Sequence, residues 1–354
     1  MRWGWWANGV FPPYDHNVSV RVESYPHRTG EHCASTALRN LLAHHGTELS
    51  EAMVFGLASG LGFFYFKSDA VSPSRMFHGR TPTFEQNLAS DTGIAITQNE
   101  EADGDRAEEI LRERLDAGVP VLLATDTYYL GYHHTTSHFP GHTCVAVGYD
   151  AARAEVWIAD RKFPELQTCS FAELRRARNA PDYPIRCANR WGDCAAGARL
   201  ARPLAQAVAS ALRRAAQQML APSYGELLSG IPAMRALAAD FPSWSAQPDW
   251  SWAARFGYQI IIKRGAAGSF FRSLYADFLR EAARELSALE PLAQCMDSIA
   301  ERWRALAVPL EQQSERETCD PALFAEAGRQ LGELAELERV FYRDADAAAA
   351  AIRS

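Results

Sequence analysis

Residues 33–46, CASTALRNLLAHHG, and residues 142–160, HTCVAVGYDAARAEVWIAD, decide the fold of the first half of this chain. The first repeats apolar residues at helical spacing. The second holds two short runs rich in β-branched and aromatic residues, joined by DAARA (150–154), which is short enough for a hairpin. Between them, RAEEILRERLDAG (106–118) reads as another helix and VPVLLATDTYY (119–129) as another strand. This order, helix first and sheet after, predicts an α+β domain. All ten histidines fall between His16 and His142, whereas the chain beyond about residue 196 has none and is rich in Ala, Leu, Arg and Glu. There, 198–220, 224–241, 269–289 and 322–342 each carry a helical period and are separated by Pro, Gly or Ser, which predicts an all-α domain. The turn-rich NRWGDCAAGAR (189–199) places the boundary between Cys187 and Ala201, giving domains 1–195 and 196–354.

The 354 residues are 47% hydrophobic and 11% aromatic, an ordinary supply for packed cores. With 43 acidic against 36 basic residues, the formal charge of −7 argues against a nucleic-acid partner. No apolar run is long enough to span a membrane, and MRWGWWANGVFPPYDH (1–16) lacks the aliphatic core of a signal peptide. A soluble, cytoplasmic protein is expected. Seven cysteines without a repeating spacing suggest free thiols rather than a disulfide framework.

In TGEHCASTALRNLL (29–42), Cys33 follows a Thr-Gly turn at a helix start, where unpaired N–H groups and the helix dipole favour a thiolate. A nucleophilic thiol needs a base from elsewhere in the chain. His142 opens a strand, and Asp160 closes the next one, where its carboxylate can hold the second ring nitrogen. Cys, then His, then Asp is the chain order of papain-like enzymes. Each residue alone has a plain alternative, a small buried Cys or a solvated strand-end His or Asp. It is their combination in order that carries the catalytic reading.

The stretches HCASTALRNLLAHHG (32–46) and LSEAMVFGLASGLGFFY (49–65) resemble the N-terminal domain of the butirosin biosynthesis protein H family. The pair GHTCVAVGYD (141–150) and VWIADR (156–161) is similar to that family and, more distantly, to the double-glycine peptidases of papain-like fold. SGIPAMRALAADF (229–241) and GAAGSFFRSLYADFLREA (265–282) resemble the helical domain that follows in the family. The resemblance implies a papain-like cysteine-peptidase fold with an all-α C-terminal domain, and an acyltransferase that moves an acyl group from an acyl carrier protein thioester to an amine. It also implies Cys33 as nucleophile, His142 as base and Asp160 as orienting acid. Papain-like peptidases carry a Gln six residues before the nucleophile, where this chain has His27. His27 is thus an oxyanion-hole candidate beside the backbone N–H of Cys33.

Other constellations compete for chemistry. TYYLGYHHTTSHFPGH (127–142) contains an H-x3-H-x3-H spacing that invites zinc, but its Tyr, Thr and Gly content without a supporting carboxylate pair reads as a mobile loop, a flap beside the active site. No metal is expected. GLASGLGFFYF (56–66) lacks the Lys and Ser/Thr of a phosphate loop, so its glycines serve close approach and Tyr65 walls a core or an acyl pocket. In IIIKRGAAGSFFRSLY (260–275), Lys263, Arg264 and Arg272 are either a solvated helix start or a contact for the carrier's acidic surface or its phosphopantetheine phosphate, and Arg272, just after SFF, is alternatively a buried structural residue. Cys144, mid-strand, is expected to be buried and unreactive.

The expected partners are an acyl carrier protein and a small-molecule amine acceptor, with no nucleic acid and no membrane; a homodimer is left open. The phosphopantetheine arm acts as co-substrate, and no bound cofactor is required because thioester exchange is nearly thermoneutral. A peptidase or amidase using the same residues, and a non-catalytic carrier-binding module, are the rival readings.

Overall fold

The computed structural model describes residues 18–181, 186–221 and 228–352. The N-terminal stretch 1–16, on which the localisation expectation drew, and residues 224–227 of the expected helix 224–241 lie outside them. Along the chain run β1 (Ser19–Arg21), α1 (Cys33–His44), α2 (Glu51–Leu57), β2 (Leu61–Lys67), β3 (Arg75–Arg80), α3 (Phe84–Thr92), β4 (Ile96–Asn99), α4 (Gly104–Asp116), β5 (Val121–Thr125), β6 (His142–Asp150), β7 (Glu155–Ala159), β8 (Gln167–Ser170), α5 (Phe171–Arg178) and β9 (Trp191–Cys194). Helices α6 (Leu204–Leu220), α7 (Gly230–Asp240), α8 (Trp250–Ile262), α9 (Arg272–Ala282), α10 (Glu290–Ser314) and α11 (Pro321–Ala351) follow. The architecture is α+β, with an antiparallel sheet and a helical C-terminal region.

The chain forms two compact units, and both are discontinuous in sequence. One comprises the described residues up to Tyr25 with Asn99–Trp191, the other Pro26–Gln98 with Gly192 onward. This differs from a single boundary near residue 195. The cause is packing that sequence periodicity does not report: α2 lies against α9, and the β2–β3 hairpin lies against α7 and α8.

In the first unit, β6 is flanked by β5 on one edge and β7 on the other, with β8 outside β7. Thr125 pairs with His142 and Leu123 with Cys144, while Asp150 pairs with Glu155 across the expected DAARA hairpin. β1 continues the β5 edge, Ser19 opposite Asp150 and Arg21 opposite Gly148. A Cβ at Gly148 would lie 2.4 Å from the Val20 carbonyl, so only glycine lets β1 approach there. Leu111 and Leu115 of α4 and Leu174 and Ala177 of α5 bury against Val121, Leu123, Ala146, Val156 and Ile158. Each leucine so buried contributes about 1.5–3 kcal/mol. Both helices are started by side chains: Asp103 accepts from the Asp105 and Arg106 amides, and Ser170 with Glu173 forms a reciprocal capping box.

In the second unit, α10 packs against α8, α9 and α11, and α11 packs against α6 and α7. Gly56 of α2 is where the Phe278 ring of α9 sits; a Cβ there would come within 1.9 Å of that ring. A buried ion pair joins three of these helices. Arg272 of α9 donates twice to Glu338 of α11, at 2.9 Å each, and Trp303 of α10 donates its indole N–H to the same carboxylate at 2.7 Å. Both members of the pair are wholly buried.

Candidate functional site

His142 and Asp160, at the start of β6 and just past the end of β7, are brought together. Their adjacent antiparallel strands place His142 Nε2 2.7 Å from Asp160 Oδ2, with both side chains buried. His133 Nε2 reaches the same oxygen at 3.0 Å, and the Tyr132 hydroxyl donates to it at 3.1 Å. Burial is the largest influence on the Asp160 carboxyl and opposes its ionisation. The charge of His142 and the hydrogen bonds from His133 and His142 together outweigh it and hold the carboxyl well below the usual carboxylate range. Tyr132, raised well above its ordinary value first by burial and also by the nearby carboxylate, keeps its proton and donates.

The histidine-rich segment differs from the mobile, carboxylate-free loop expected. It folds into two 3-10 turns, Thr127–Tyr129 and Gly131–His133, and is tied to two buried carboxylates. Asp126 Oδ2 lies 2.7 Å from His138 Nδ1, while its Oδ1 accepts the Tyr128 and Phe139 amides at 3.0 and 2.8 Å. Asp160 anchors His133. His134 ends the second turn in the left-handed region at φ 48°. The H-x3-H-x3-H spacing is therefore not assembled as a ligand set, since His138 and His142 are held by different carboxylates. His133, His142 and Asp160 instead present ligand atoms within 4.8 Å of one another.

Cys33 belongs to the second unit. It is the first residue of α1 and is 8% exposed. The chain entering it is fixed by Arg39 and Asn40 of α1, which donate to the Arg28 carbonyl at 2.8 and 2.9 Å. His32 is the N-cap: its Nδ1 accepts from the Ser35 amide at 3.3 Å, and the ring is enclosed edge-on by Phe55, Phe84 and Phe271. The Glu51 carboxylate accepts the Glu31 and His32 amides and the Ser35 and Thr36 hydroxyls. Part of the positive potential at the helix start is thus met by a fixed carboxylate, a feature the sequence reading did not single out. His27 lies partly buried in the segment between β1 and α1.

Among the other thiols, Cys144 is buried mid-strand with its sulfur 3.9 Å from the Thr125 hydroxyl. Burial, helped by Glu173 for the first and Asp193 for the second, pushes Cys169 and Cys194 up to about 12. They stay protonated at neutral pH.

The remaining candidates lie in the second unit. Tyr65 is buried and its hydroxyl donates to Asp240, which also binds Lys67 at 2.7 Å; this ties β2 to α7. Lys263 and Arg264 follow the C-terminal end of α8 rather than starting a helix, so their charge complements the helix dipole there. Lys263 is exposed and Arg264 half-buried, its guanidinium over the Phe256 ring. Arg272 is not a surface cation. It spends its donors on Glu338 and on the Phe270 carbonyl, and the docking role expected for it gives way to a structural one.

The fold and this geometry define the class: a mixed α+β protein with a buried imidazole–carboxylate pair on an antiparallel sheet and a separate thiol at a helix start. Residues 32–161 match the family described as Butirosin biosynthesis protein H, N-terminal, and residues 172–345 match a domain of unknown function, DUF4872. The first of these two consecutive domains matches the butirosin biosynthesis protein H family that the sequence resembles. The first match encloses Cys33, His142 and Asp160; the second encloses Lys263, Arg264 and Arg272. No curated protein matches the chain.

Proposed function

We propose that this protein is a papain-like, cysteine-dependent acyltransferase of antibiotic biosynthesis that moves an acyl group from an acyl carrier protein thioester to an amine. The observation that carries this reading is the 2.7 Å bond between His142 Nε2 and the buried Asp160 carboxylate. A carboxylate held ionised fixes the proton on Nε2 and leaves Nδ1 with the lone pair, which is the nitrogen that must move protons. The thiolate attacks the thioester carbonyl, the oxyanion is met by N–H groups at the start of α1, and the pantetheine thiol leaves with the proton from the imidazolium. The amine then attacks acyl-Cys33, Nδ1 accepts its proton, and the amide departs as the thiolate is restored. No ATP is consumed. The match of residues 32–161 to a family whose printed name concerns butirosin biosynthesis supports the biosynthetic setting. Lys263, exposed at the end of α8, suits the acidic surface of a carrier protein.

The roles are separable by kinetics on a short N-acetylcysteamine thioester with an amine. His142→Ala removes the base and is expected to lower kcat/KM on the order of a hundredfold or more, with a smaller loss for Asp160→Asn, which removes orientation alone. Wild-type rates in both variants, with melting temperatures unchanged, would remove this pair from the mechanism.

A further inference from the structure

His133 has no assigned role in the proposed transfer, yet its Nε2 converges on the same Asp160 oxygen as His142 Nε2, at 3.0 and 2.7 Å. The two rings stand 5.2 Å apart and nearly perpendicular, at 87°, so their Nε2 atoms approach the carboxylate from different directions. Two imidazoles and one carboxylate are the donor set of a divalent transition-metal site, and three protein ligands leave a fourth position open. A tetrahedral zinc ion with ligands at about 2.0–2.1 Å needs donor atoms roughly 3.3 Å apart. The separations here, 2.7 and 3.0 Å to the carboxylate and none above 4.8 Å, bracket that value. Tyr132 donates to the same carboxylate oxygen and Phe163 packs edge-on against the His133 ring, so the ligands are supported from outside.

We propose that His133 Nε2, His142 Nε2 and Asp160 Oδ2 form a binding site for a divalent transition-metal ion of the zinc class. Coordination through Nε2 requires its lone pair, so the ring proton of each neutral imidazole moves to Nδ1. That tautomer of His142 cannot accept a proton at Nδ1. Resting on the acyltransferase reading above, metal binding therefore switches the enzyme off, and a chelator switches it on again.

The test uses the full-length protein and zinc chloride alone. Titration against a chelating dye is expected to show one site, and zinc is expected to raise the melting temperature by mass action. His133→Ala and His142→Ala should each weaken binding at least about a hundredfold and abolish the thermal shift, because a first ligand is lost. His138→Ala, whose ring is held by Asp126, and His134→Ala should bind as the wild type does. Undiminished affinity in a folded His133→Ala protein, or a loss confined to His138→Ala or His134→Ala, would overturn the site. Amide formation measured in the same titration should fall along the binding curve and return with EDTA. Zinc bound through His133 with turnover intact would uphold the site and overturn His142 as the base.

Discussion

Replacing Cys33 with Ala is expected to leave a folded protein with turnover reduced at least about a thousandfold, the scale on which loss of a covalent nucleophile is felt. Cys33 is the first residue of α1, and the cap of that helix is built by His32 and Glu51 rather than by the thiol. Ala is the best helix former and loses a single sulfur atom at this position, so the melting temperature should scarcely move. Cys144→Ala is the paired control. That thiol is buried on β6 opposite Leu123, away from any helix start, and its removal should leave most of the activity. An inactive Cys144→Ala beside an active Cys33→Ala, both folded, would contradict the assignment of the nucleophile.

Glu338→Ala is expected to have the largest effect on stability. The Arg272 guanidinium is wholly buried and receives its countercharge from Glu338, with two bonds at 2.9 Å; Trp303 loses its acceptor in the same substitution. Breaking a buried pair by removing one partner costs about 3–5 kcal/mol, because the remaining charge stays desolvated and uncompensated. For a protein of this size that corresponds to a fall in melting temperature of roughly 4–7 °C. Replacing both partners with apolar residues, Arg272→Met with Glu338→Leu, should recover most of the loss, since no orphan charge is left. Calorimetry of the single and double variants checks both statements. A Glu338→Ala protein that melts like the wild type would show that the pair does not hold α9, α10 and α11 together.

Strands β5, β6 and β7 and the imidazole–carboxylate pair were legible because they are local, whereas the other six strands among the described residues were not read from the sequence. β6, the four-residue turn and β7 follow one another, so alternation and a short linker were enough to bring His142 beside Asp160. The helical C-terminal region was legible where a helix is amphipathic, as in α6, α9 and α11. α8 and α10 were not singled out: WSWAARFGYQIII is apolar on most of its surface, and α10 carries Pro309 in its interior. Long-range partnerships left no local signal. His133 finds Asp160 from 27 residues away, His138 finds Asp126, and Glu51 closes the start of α1 from another helix. Arg272 illustrates the same limit: its place just after SFF at a helix start allowed a buried structural role, but its partner Glu338, 66 residues on, left no local signal. The interleaving of the two compact units has this origin too. α1, α2 and the β2–β3 hairpin share a unit with helices more than a hundred residues away, a pairing set by apolar faces rather than by a linker.

The central claim is a covalent acyl-enzyme on Cys33. The full-length protein is incubated with an acylated carrier protein, or with the corresponding N-acetylcysteamine thioester, in the absence of amine, and its intact mass is measured. One acyl group should be gained per chain, mapping to Cys33 rather than to the exposed Cys295, and adding the acceptor amine should discharge it as the amide. Amide formed at full rate with no adduct on Cys33 would contradict the account, as would an adduct that survives in Cys33→Ala.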